Sequence, residues 1–312
     1  MSRVFVVGSI NMDVVATADR HPRSGETVTG GELHFVPGGK GANQAMAAHR
    51  ADAETWLVGR LGDDHFGDRL EAFLREGGLH LDHVEREPKL PTGTALVTVA
   101  GSQNTIVVVP GANSALGPHD VRALPIATGD VVVAQFEVPL ETVEAAFLHG
   151  REQGATTVLN PSPAMPCSPR LLGLADVLIV NETELGFFAD AETAALETDD
   201  NIVAPARNLR ARDSQVIVTT LGADGAIAVD RDEVMRIEGR RVEVVDSTGA
   251  GDCFTGNLAA GLSRNAPISA ALETANVAAS LGVQSFGAGP SMPRLAEVRS
   301  LIGRRDPGQQ LL

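Results

Sequence analysis

The run AspSerThrGlyAlaGlyAsp at 246–252 is the part of the sequence whose residue types are best suited to chemistry. A strand-like start gives way to small residues and then to a helical pattern that begins near Asp252. Consecutive backbone N–H groups of Gly249, Ala250, Gly251 and Asp252 would form a concave anion site at the positive end of that helix. Phosphate suits such a site, and Asp252 beside it would accept a proton from an attacking hydroxyl. A glycine-rich turn capped by Asp252 is the structural alternative, and the segment alone leaves both open.

Neither familiar nucleotide fingerprint is present. GlyAlaGly at 249–251 lacks the third glycine of GxGxxG, and GlyLysGly at 39–41 lacks the upstream glycine and the Ser/Thr of a P-loop. These departures weigh against a Rossmann dehydrogenase and a P-loop NTPase. The chain also has no GxSxG run, which disfavours a serine hydrolase.

Two further clusters carry polar groups suited to a ligand rich in hydroxyls. Asn11 and Asp13 follow the first strand pattern two residues apart, so in extended chain they point to the same side. The glycine run at 38–41 opens a helix that places Lys40 and Asn43 three residues apart. Lys40 is one of two lysines in the chain, which weakens the alternative of a solvated helix start. Exposed turn residues remain the alternative for Asn11 and Asp13.

Polar residues also follow other predicted strands. Glu137 and Asn160 each end an apolar run, and AsnGluThrGlu at 181–184 follows ValLeuIleVal. Asn181 and Glu184 have the spacing of a capping box, but a carboxylate there would also suit Mg²⁺ held through water. Because ligands of α/β sheets bind at the carboxyl ends of the strands, these positions together indicate one site.

Short β-branched runs alternate with helical patterns along the chain. The runs lie at 3–9, 130–136, 156–160, 176–180 and 215–220. Between them apolar residues recur every three or four positions, as in Phe66, Leu70, Phe73 and Leu74. This order predicts an α/β fold with a mostly parallel central sheet covered by helices on both faces.

Two stretches, about 14–36 and 92–112, show alternating β-type sequence without an intervening helical pattern. Within the second, 97–100 and 105–109 predict a hairpin with a four-residue loop at 101–104. The hairpin is either an edge of the main sheet or part of a small β-lid that two insertions build over the mouth of the α/β domain. We expect a single domain over 1–312 that carries this lid.

The charge and composition of the chain exclude several classes of binding partner and site. The formal net charge of −15 would repel nucleic acid and anionic membranes, so neither is expected as a partner. No apolar run approaches the ~18 residues of a membrane span, and no apolar leader precedes Gly8, so we expect a cytoplasmic protein. Two cysteines, and eight histidines without HxH or HxxxH spacing, predict neither a disulfide framework nor a histidine metal site.

Five motifs, in order, resemble the ribokinase family of sugar kinases over about residues 3–303. They are GlySerIleAsnMetAsp at 8–13, GlyGlyLysGlyAlaAsnGlnAla at 38–45, AsnProSerProAla at 160–164, AsnGluThrGlu at 181–184 and AspSerThrGlyAlaGlyAsp at 246–252. The second and third point to kinases of ribose rather than of fructose or adenosine. The resemblance implies a ribokinase-like three-layer sandwich and transfer of the γ-phosphoryl of MgATP to the 5-hydroxyl of D-ribose, giving ribose 5-phosphate.

The resemblance also implies roles for single residues. Asp252 would be the catalytic base, and the amides of Gly249, Ala250, Gly251 and Asp252 would form the anion hole for the transferring group. The sugar would be held by Asn11, Asp13, Gly39, Lys40, Asn43, Glu137 and Asp252. The nucleotide would be lined by Asn181, Thr220, Gly222, Gly251 and Asn276.

Two cations and a second copy of the chain are implied in the same way. Mg²⁺ would lie near Glu184 and be held through water. A monovalent cation, usually K⁺ in the family, would be bound at Asp246, Thr248, Gly282, Ser285, Gly287 and Ser291, where Gly282 and Ser285 give only backbone carbonyls. The family's lid also forms a dimer interface, which implies a homodimer.

The sugar itself is the open question at this point. A kinase of the same fold acting on deoxyribose, fructose, adenosine or pseudouridine is the nearest alternative. A non-catalytic sugar-binding sensor would be expected to lose Asp252 or the glycines of its loop, and all of them are present.

Overall fold

The short β-branched runs of the sequence form strands, and the helical patterns between them form helices. The structure is a computed structural model that describes residues 2–101, 103–193, 196 and 198–302. Its strands are β1 Val4–Val7, β2 Asn11–Ala18, β3 Gly30–Gly38, β4 Thr55–Gly62, β5 His80–Glu87, β6 Gly93–Ala100, β7 Gln103–Val109, β8 Val131–Gln135, β9 Thr156–Asn160, β10 Val177–Asn181, β11 Val216–Thr220, β12 Gly225–Val229 and β13 Val234–Glu238. Its α-helices are α1 Lys40–Arg50, α2 His65–Glu76, α3 Pro118–Arg122, α4 Leu140–Glu152, α5 Pro169–Leu174, α6 Glu182–Ala189, α7 Asp199–Leu209, α8 Ala250–Ser263, α9 Ile268–Gly282, α10 Ala288–Ser291 and α11 Leu295–Leu301.

The main sheet has nine strands in the order β13-β12-β11-β10-β9-β8-β1-β4-β5. The seven strands from β11 to β5 pair in parallel, whereas β12 and β13 add antiparallel at one edge. The carboxyl ends of these parallel strands therefore meet at one edge of the sheet, as expected for a ligand site.

Helices cover both faces of the main sheet, which confirms the predicted three-layer α/β fold. Within β1, Val4 and Val6 pack into the core beneath α1, α8 and α9, whereas Phe5 and Val7 pack into the core beneath α4 to α7. The alternation follows from the two-residue period of a strand that is buried on both faces.

The two unusual stretches form a second sheet of four strands, ordered β3-β2-β6-β7. The hairpin of β6 and β7 thus pairs inside this sheet rather than at an edge of the main one. The predicted four-residue loop is wrong, because Ala100 already pairs with Gln103. Of the predicted loop residues, Ser102 lies outside the described residues.

The helices are short relative to a lipid bilayer. The longest helix in the described part of the chain, α9, has 15 residues, whereas a membrane span takes about 20. Among the described residues, no helix combines the length and apolar character needed to cross a membrane.

Helix α1 begins in direct contact with the chain that leaves β1. The Ala42 N–H donates to the Ser9 carbonyl oxygen at 2.9 Å, and the Gly41 N–H donates to Ser9 Oγ at 3.3 Å. A Cβ on Gly41 would lie 2.5 Å from the carbonyl carbon of Gly8 and 2.6 Å from the Ser9 nitrogen. Both are backbone atoms, so only glycine allows this approach.

We predict that Gly41→Ala destabilises the protein, although alanine ordinarily favours a helix by about 1 kcal/mol over glycine. Overpacking against backbone should cost about 1–3 kcal/mol, measured by urea denaturation. Gly251→Ala, also in the first turn of a helix, is the matched control because its Cβ would meet no atom within 4 Å. Equal stability of the two variants would contradict the contact.

Candidate active site

A cleft of about 1240 Å³ lies between the second sheet and the carboxyl edge of the main sheet. The residues proposed from sequence that line it are Asn11, Asp13, Gly39, Lys40, Asn43, Glu137, Asp246, Thr248, Gly249, Asp252 and Gly287. The cleft therefore gathers every predicted sugar residue and half of the predicted monovalent-cation residues into one space.

The N-terminus of α8 forms one wall of the cleft. Gly249 is the N-cap and has φ of +78°, which favours glycine, and its Cβ position lies 2.6 Å from Ala288 Cβ. The next helical positions are the small residues Ala250 and Gly251, and nothing lies within 4 Å of the Gly251 Cβ position. The first turn of α8 therefore has open space beside its backbone amides, and the anion site stays a prediction.

The Asp252 carboxylate is buried, with 5% exposure, and is held by two amides from α1. Asn43 Nδ2 donates to Oδ2 and Gln44 Nε2 donates to Oδ1, each at 2.9 Å. Gln44 is itself oriented by Gln135, whose Nε2 donates to Gln44 Oε1 at 2.7 Å. One donor on each carboxylate oxygen fixes the orientation of Asp252 within the cleft.

Glu137, another residue that lines the cleft, accepts hydrogen bonds from three donors. Its Oε2 accepts hydrogen bonds from Ser9 Oγ at 2.5 Å, from the Lys40 N–H at 3.2 Å and from Asn11 Nδ2 at 3.4 Å. The Glu137 carboxylate, which follows β8, thereby links the start of α1 with the start of β2 through hydrogen bonds. Carboxylate and amide groups arranged in this way are suited to the hydroxyls of a sugar.

Charge is concentrated in the cleft. Burial, reinforced by the charges of Glu137 and Asp252, raises the pKa of the Asp13 carboxyl to about 7. For Lys40, burial lowers the pKa of the ammonium group, but the negative charges of Asp252, Glu137 and Glu184 together outweigh burial and raise it. Lys40 therefore stays charged and partly neutralises the carboxylates around it.

The predicted nucleotide residues lie outside the lining of this cleft. Asn181 and Glu184 form a reciprocal capping box, with the Glu184 N–H donating to Asn181 Oδ1 at 2.8 Å and the Asn181 N–H donating to Glu184 Oε2 at 2.9 Å. Asn181 stands opposite Thr220 in the parallel register of β10 and β11, and Gly222 follows with φ of +54°. The capping box that the sequence offered as the structural alternative is thus formed. It uses Asn181 Oδ1 and Glu184 Oε2.

Asn276 belongs to a separate cavity of about 450 Å³ between β13 and α9. Its Nδ2 donates to the Glu238 carbonyl oxygen at 2.8 Å, which positions the amide at the wall of that cavity.

The predicted monovalent-cation residues come from two adjoining segments. The Asp246 carboxylate accepts from the Thr248 N–H at 2.9 Å and from the Gly287 N–H at 3.0 Å. The Asp246 N–H in turn donates to the Val283 carbonyl oxygen at 3.1 Å. Gly282 ends α9, its carbonyl oxygen accepts from the Ser285 N–H at 3.3 Å, and its Cβ position lies 3.9 Å from the carbonyl oxygen of Ser291 in α10. The structure therefore brings the six predicted residues into one neighbourhood.

Sequence reasoning missed several residues of the site. Ser9, Gln44, Asn113 and Gln135 all bond to residues that line the cleft or to each other. Gln44 follows Asn43 directly and Gln135 lies two residues before Glu137, so proximity to predicted residues was the available signal. Asn113 had no such signal, since its partner Asn11 is 102 residues away.

Comparison with known proteins agrees with these observations. A family model described as pfkB family carbohydrate kinase matches residues 1–295. The ribokinase of Bacillus subtilis (strain 168) is 38% identical over 304 residues, covering 97% of this chain and 100% of the relative. The deoxyribokinase of Salmonella typhi is 33% identical over 307 residues, covering 96% of this chain and 98% of the relative.

Solved structures give the same result. A structure of Arabidopsis thaliana ribokinase complexed with ribose and ATP superposes with a TM-score of 0.87 at 31% identity, covering 98% of this chain and 100% of that one. The resemblance read from the five motifs is thereby confirmed at the level of the family. On the family match, the sequence relatives and the fold together, the chain belongs to the pfkB family of carbohydrate kinases.

Proposed function

We propose that this carbohydrate kinase transfers the γ-phosphoryl of MgATP to the 5-hydroxyl of D-ribose, giving ribose 5-phosphate. The observation that carries the proposal is the Asp252 carboxylate, held by Asn43 and Gln44 at the N-terminus of α8 and facing the cleft that contains Asn11, Asp13 and Glu137. Relatives named ribokinase, at 33–38% identity over nearly the whole chain, support ribose as the acceptor.

In this proposal the chain supplies a base, an anion hole and a sugar pocket. An oxygen of the Asp252 carboxylate takes the proton of the sugar hydroxyl as that hydroxyl attacks phosphorus. The amides of Gly249, Ala250, Gly251 and Asp252 hold the charge that develops on the transferring group. Asn11, Asp13, Gly39, Lys40, Asn43 and Glu137 orient the sugar.

The nucleotide site is proposed at the ends of β10 and β11 and beside α9. Asn181, Thr220, Gly222, Gly251 and Asn276 would line the nucleotide. Glu184 would face the Mg²⁺ through water, which fits a single carboxylate rather than a dedicated metal cage. Mg²⁺ supplies neutralisation of the phosphate charge when bound.

A monovalent cation, K⁺ by preference, is proposed beside the anion hole. Asp246 and Thr248 adjoin Gly249. The segment from Gly282 to Ser291, which contains Ser285 and Gly287, bonds to Asp246 through the Gly287 N–H and the Val283 carbonyl oxygen. A chain of net charge −15 needs such local positive charge to hold a polyphosphate.

The proposal predicts an order of substrates. With MgATP in K⁺ buffer, ADP release should give the highest kcat/KM for ribose among ribose, deoxyribose, fructose, adenosine and pseudouridine. Among the other acceptors, deoxyribose is the one that the sequence relatives favour, since two relatives named deoxyribokinase are 33% identical to this chain. Preference for any other acceptor would overturn ribose while leaving phosphoryl transfer intact, and an unchanged rate in Na⁺ buffer would contradict the K⁺ site.

The control for this experiment is Asp252→Asn. It keeps the size of the side chain and removes the base, so turnover should fall by about 10²–10⁴-fold while ATP binding and stability stay close to wild type. Turnover within about tenfold of wild type would remove Asp252 from the role of base.

We also predict that Asp13→Asn makes the ligand-free protein more stable at pH 8 while weakening sugar binding. The folded-state pKa of about 7 lies above the ordinary value of 3.8, so ionisation of Asp13 costs folding free energy that sets in as pH rises from 3.8 to 7. The gain in Tm should therefore shrink from pH 8 to pH 5. Asp19→Asn, at an exposed carboxylate just after β2, is the control and should gain nothing at either pH.

A second copy of the chain is the proposed partner of the outer face of the second sheet. The period of two places Asp13, Ala95 and Val108 toward the cleft, whereas Leu96 and Val107 lie on the other face, with exposures of 48% and 62%. Apolar side chains in such a row mark an interaction surface.

We therefore predict that the protein sediments as a dimer at micromolar concentration and that Val107→Lys shifts it toward monomer. Val234→Lys, at an exposed valine on the edge strand of the main sheet, should leave the dimer intact. A wild-type monomer would contradict the proposed dimer.

A further inference from the structure

Asn113 lies in the 3₁₀ helix Gly111–Ala115, directly after the last strand of the second sheet. It is 1% exposed, and its side chain makes three hydrogen bonds, all to Ile10 and Asn11. The Ile10 N–H donates to Asn113 Oδ1 at 2.9 Å. Asn113 Nδ2 donates to the Ile10 carbonyl oxygen at 3.3 Å and to Asn11 Oδ1 at 2.7 Å. No residue of this 3₁₀ helix has a role in the proposed catalytic or sugar-binding set.

The chemistry of these partners fixes the orientation of both amides. A backbone N–H only donates, so the Asn113 atom facing the Ile10 nitrogen is the oxygen and the other atom is the NH₂ group. That NH₂ group requires an acceptor, so the atom of Asn11 that faces it is Oδ1. Asn11 Nδ2 is left to point toward Glu137, whose Oε2 lies 3.4 Å away and only accepts when ionised.

Close packing holds the two amides against each other. Asn11 is 3% exposed, and a Cβ on Gly93 would overlap both Asn11 Oδ1 and Asn113 Nδ2. The same Cβ would lie 2.9 Å from the Ile10 carbonyl oxygen. The glycine at the start of β6 therefore lets the two amides and the Ile10 peptide pack together.

We propose that Asn113 is a positioning residue that locks the Asn11 amide with its Nδ2 toward the cleft, so that Asn11 meets the sugar as a donor only. The hydroxyl that Asn11 contacts then accepts from Nδ2 and gives its own proton to a carboxylate, Glu137 or Asp13. This inference rests on the proposed function, because it takes the cleft as the sugar site. A free asparagine amide both donates and accepts, whereas this orientation leaves only its donor for the cleft.

The test is the Asn113→Asp variant, which keeps the shape and the acceptor for Ile10 N–H but turns an acceptor toward Asn11 Oδ1. Sugar KM should rise by about 10- to 100-fold, the range expected when a buried polar contact is lost, while ATP KM stays within about threefold. Ser114→Ala is the matched control, since its exposed hydroxyl bonds only the Gly111 carbonyl of the same 3₁₀ helix, at 2.7 Å, and its sugar KM should not change.

A double-mutant cycle distinguishes an effect of Asn113 through Asn11 from a general structural effect of the substitution. In an Asn11→Ala background, Asn113→Asp should change sugar KM by no more than about twofold, because the amide it positions is gone. An equal rise in sugar KM in both backgrounds would overturn the proposal.

Asn11→Asp tests the same inference if Asn113→Asp fails to fold. The new carboxylate still accepts from Asn113 Nδ2 but faces Glu137 without a donor, so sugar KM should rise at least as much. A normal sugar KM for Asn11→Asp would overturn the donor-only orientation. All assays use the acceptor for which the wild-type enzyme has the highest kcat/KM. If ribose is not a substrate, the proposed function is contradicted, but this test can still be made with the preferred acceptor.

Discussion

The pair of hydrogen bonds from α1 to the Asp252 carboxylate is the interaction on which the site depends. Asn43 and Gln44 meet Asp252 only because α1 and α8 cross closely, and that crossing requires Gly256, whose added Cβ would overlap the Gln44 carbonyl oxygen. The same helix carries Lys40 at its start, where the backbone N–H bonds Glu137. One helix thus sets the position of the proposed base and of the proposed sugar pocket together.

The cleft holds several carboxylates close together, and burial makes their negative charge unfavourable. Asp13, Glu137 and Asp252 act on one another through a medium that screens charge weakly, and the raised pKa of Asp13 expresses that cost. Lys40 offsets part of it. Carboxylates so arranged lower the stability of the ligand-free protein. In the proposed function, hydroxyl donors of the sugar would complete their hydrogen bonding, so that function would oppose stability.

The sequence predicted what local pattern and strand order determine. Five of the seven parallel strands were predicted within two residues of their ends, and polar residues at those ends did converge on one edge, whereas β4 and β5 were not predicted. The hairpin loop was misjudged because Gln103 and Asn104, polar residues typical of turns, continue β7 on an exposed strand. Side-chain partners were the least predictable part, since Gln44 reaches Asp252 across 208 residues and Asn113 reaches Asn11 across 102. The local spacing of apolar and polar residues, which predicts helices and strands, carries no information about such distant contacts.

The four crossings between the two sheets all lie at one corner. Gly39 packs against Ser9, Ile10 and Asn11, and Gly111 packs against Pro91, Thr92 and Gly93, which in turn adjoins Ile10. The backbone thus enters and leaves the second sheet at one place, while side-chain contacts of β3, Phe35 with Phe66 and His34 with Phe286, hold the sheet elsewhere. The glycines at that corner therefore fix where the chain enters the second sheet, and the strand registers carry that placement along β2 to Asp13, which lines the cleft.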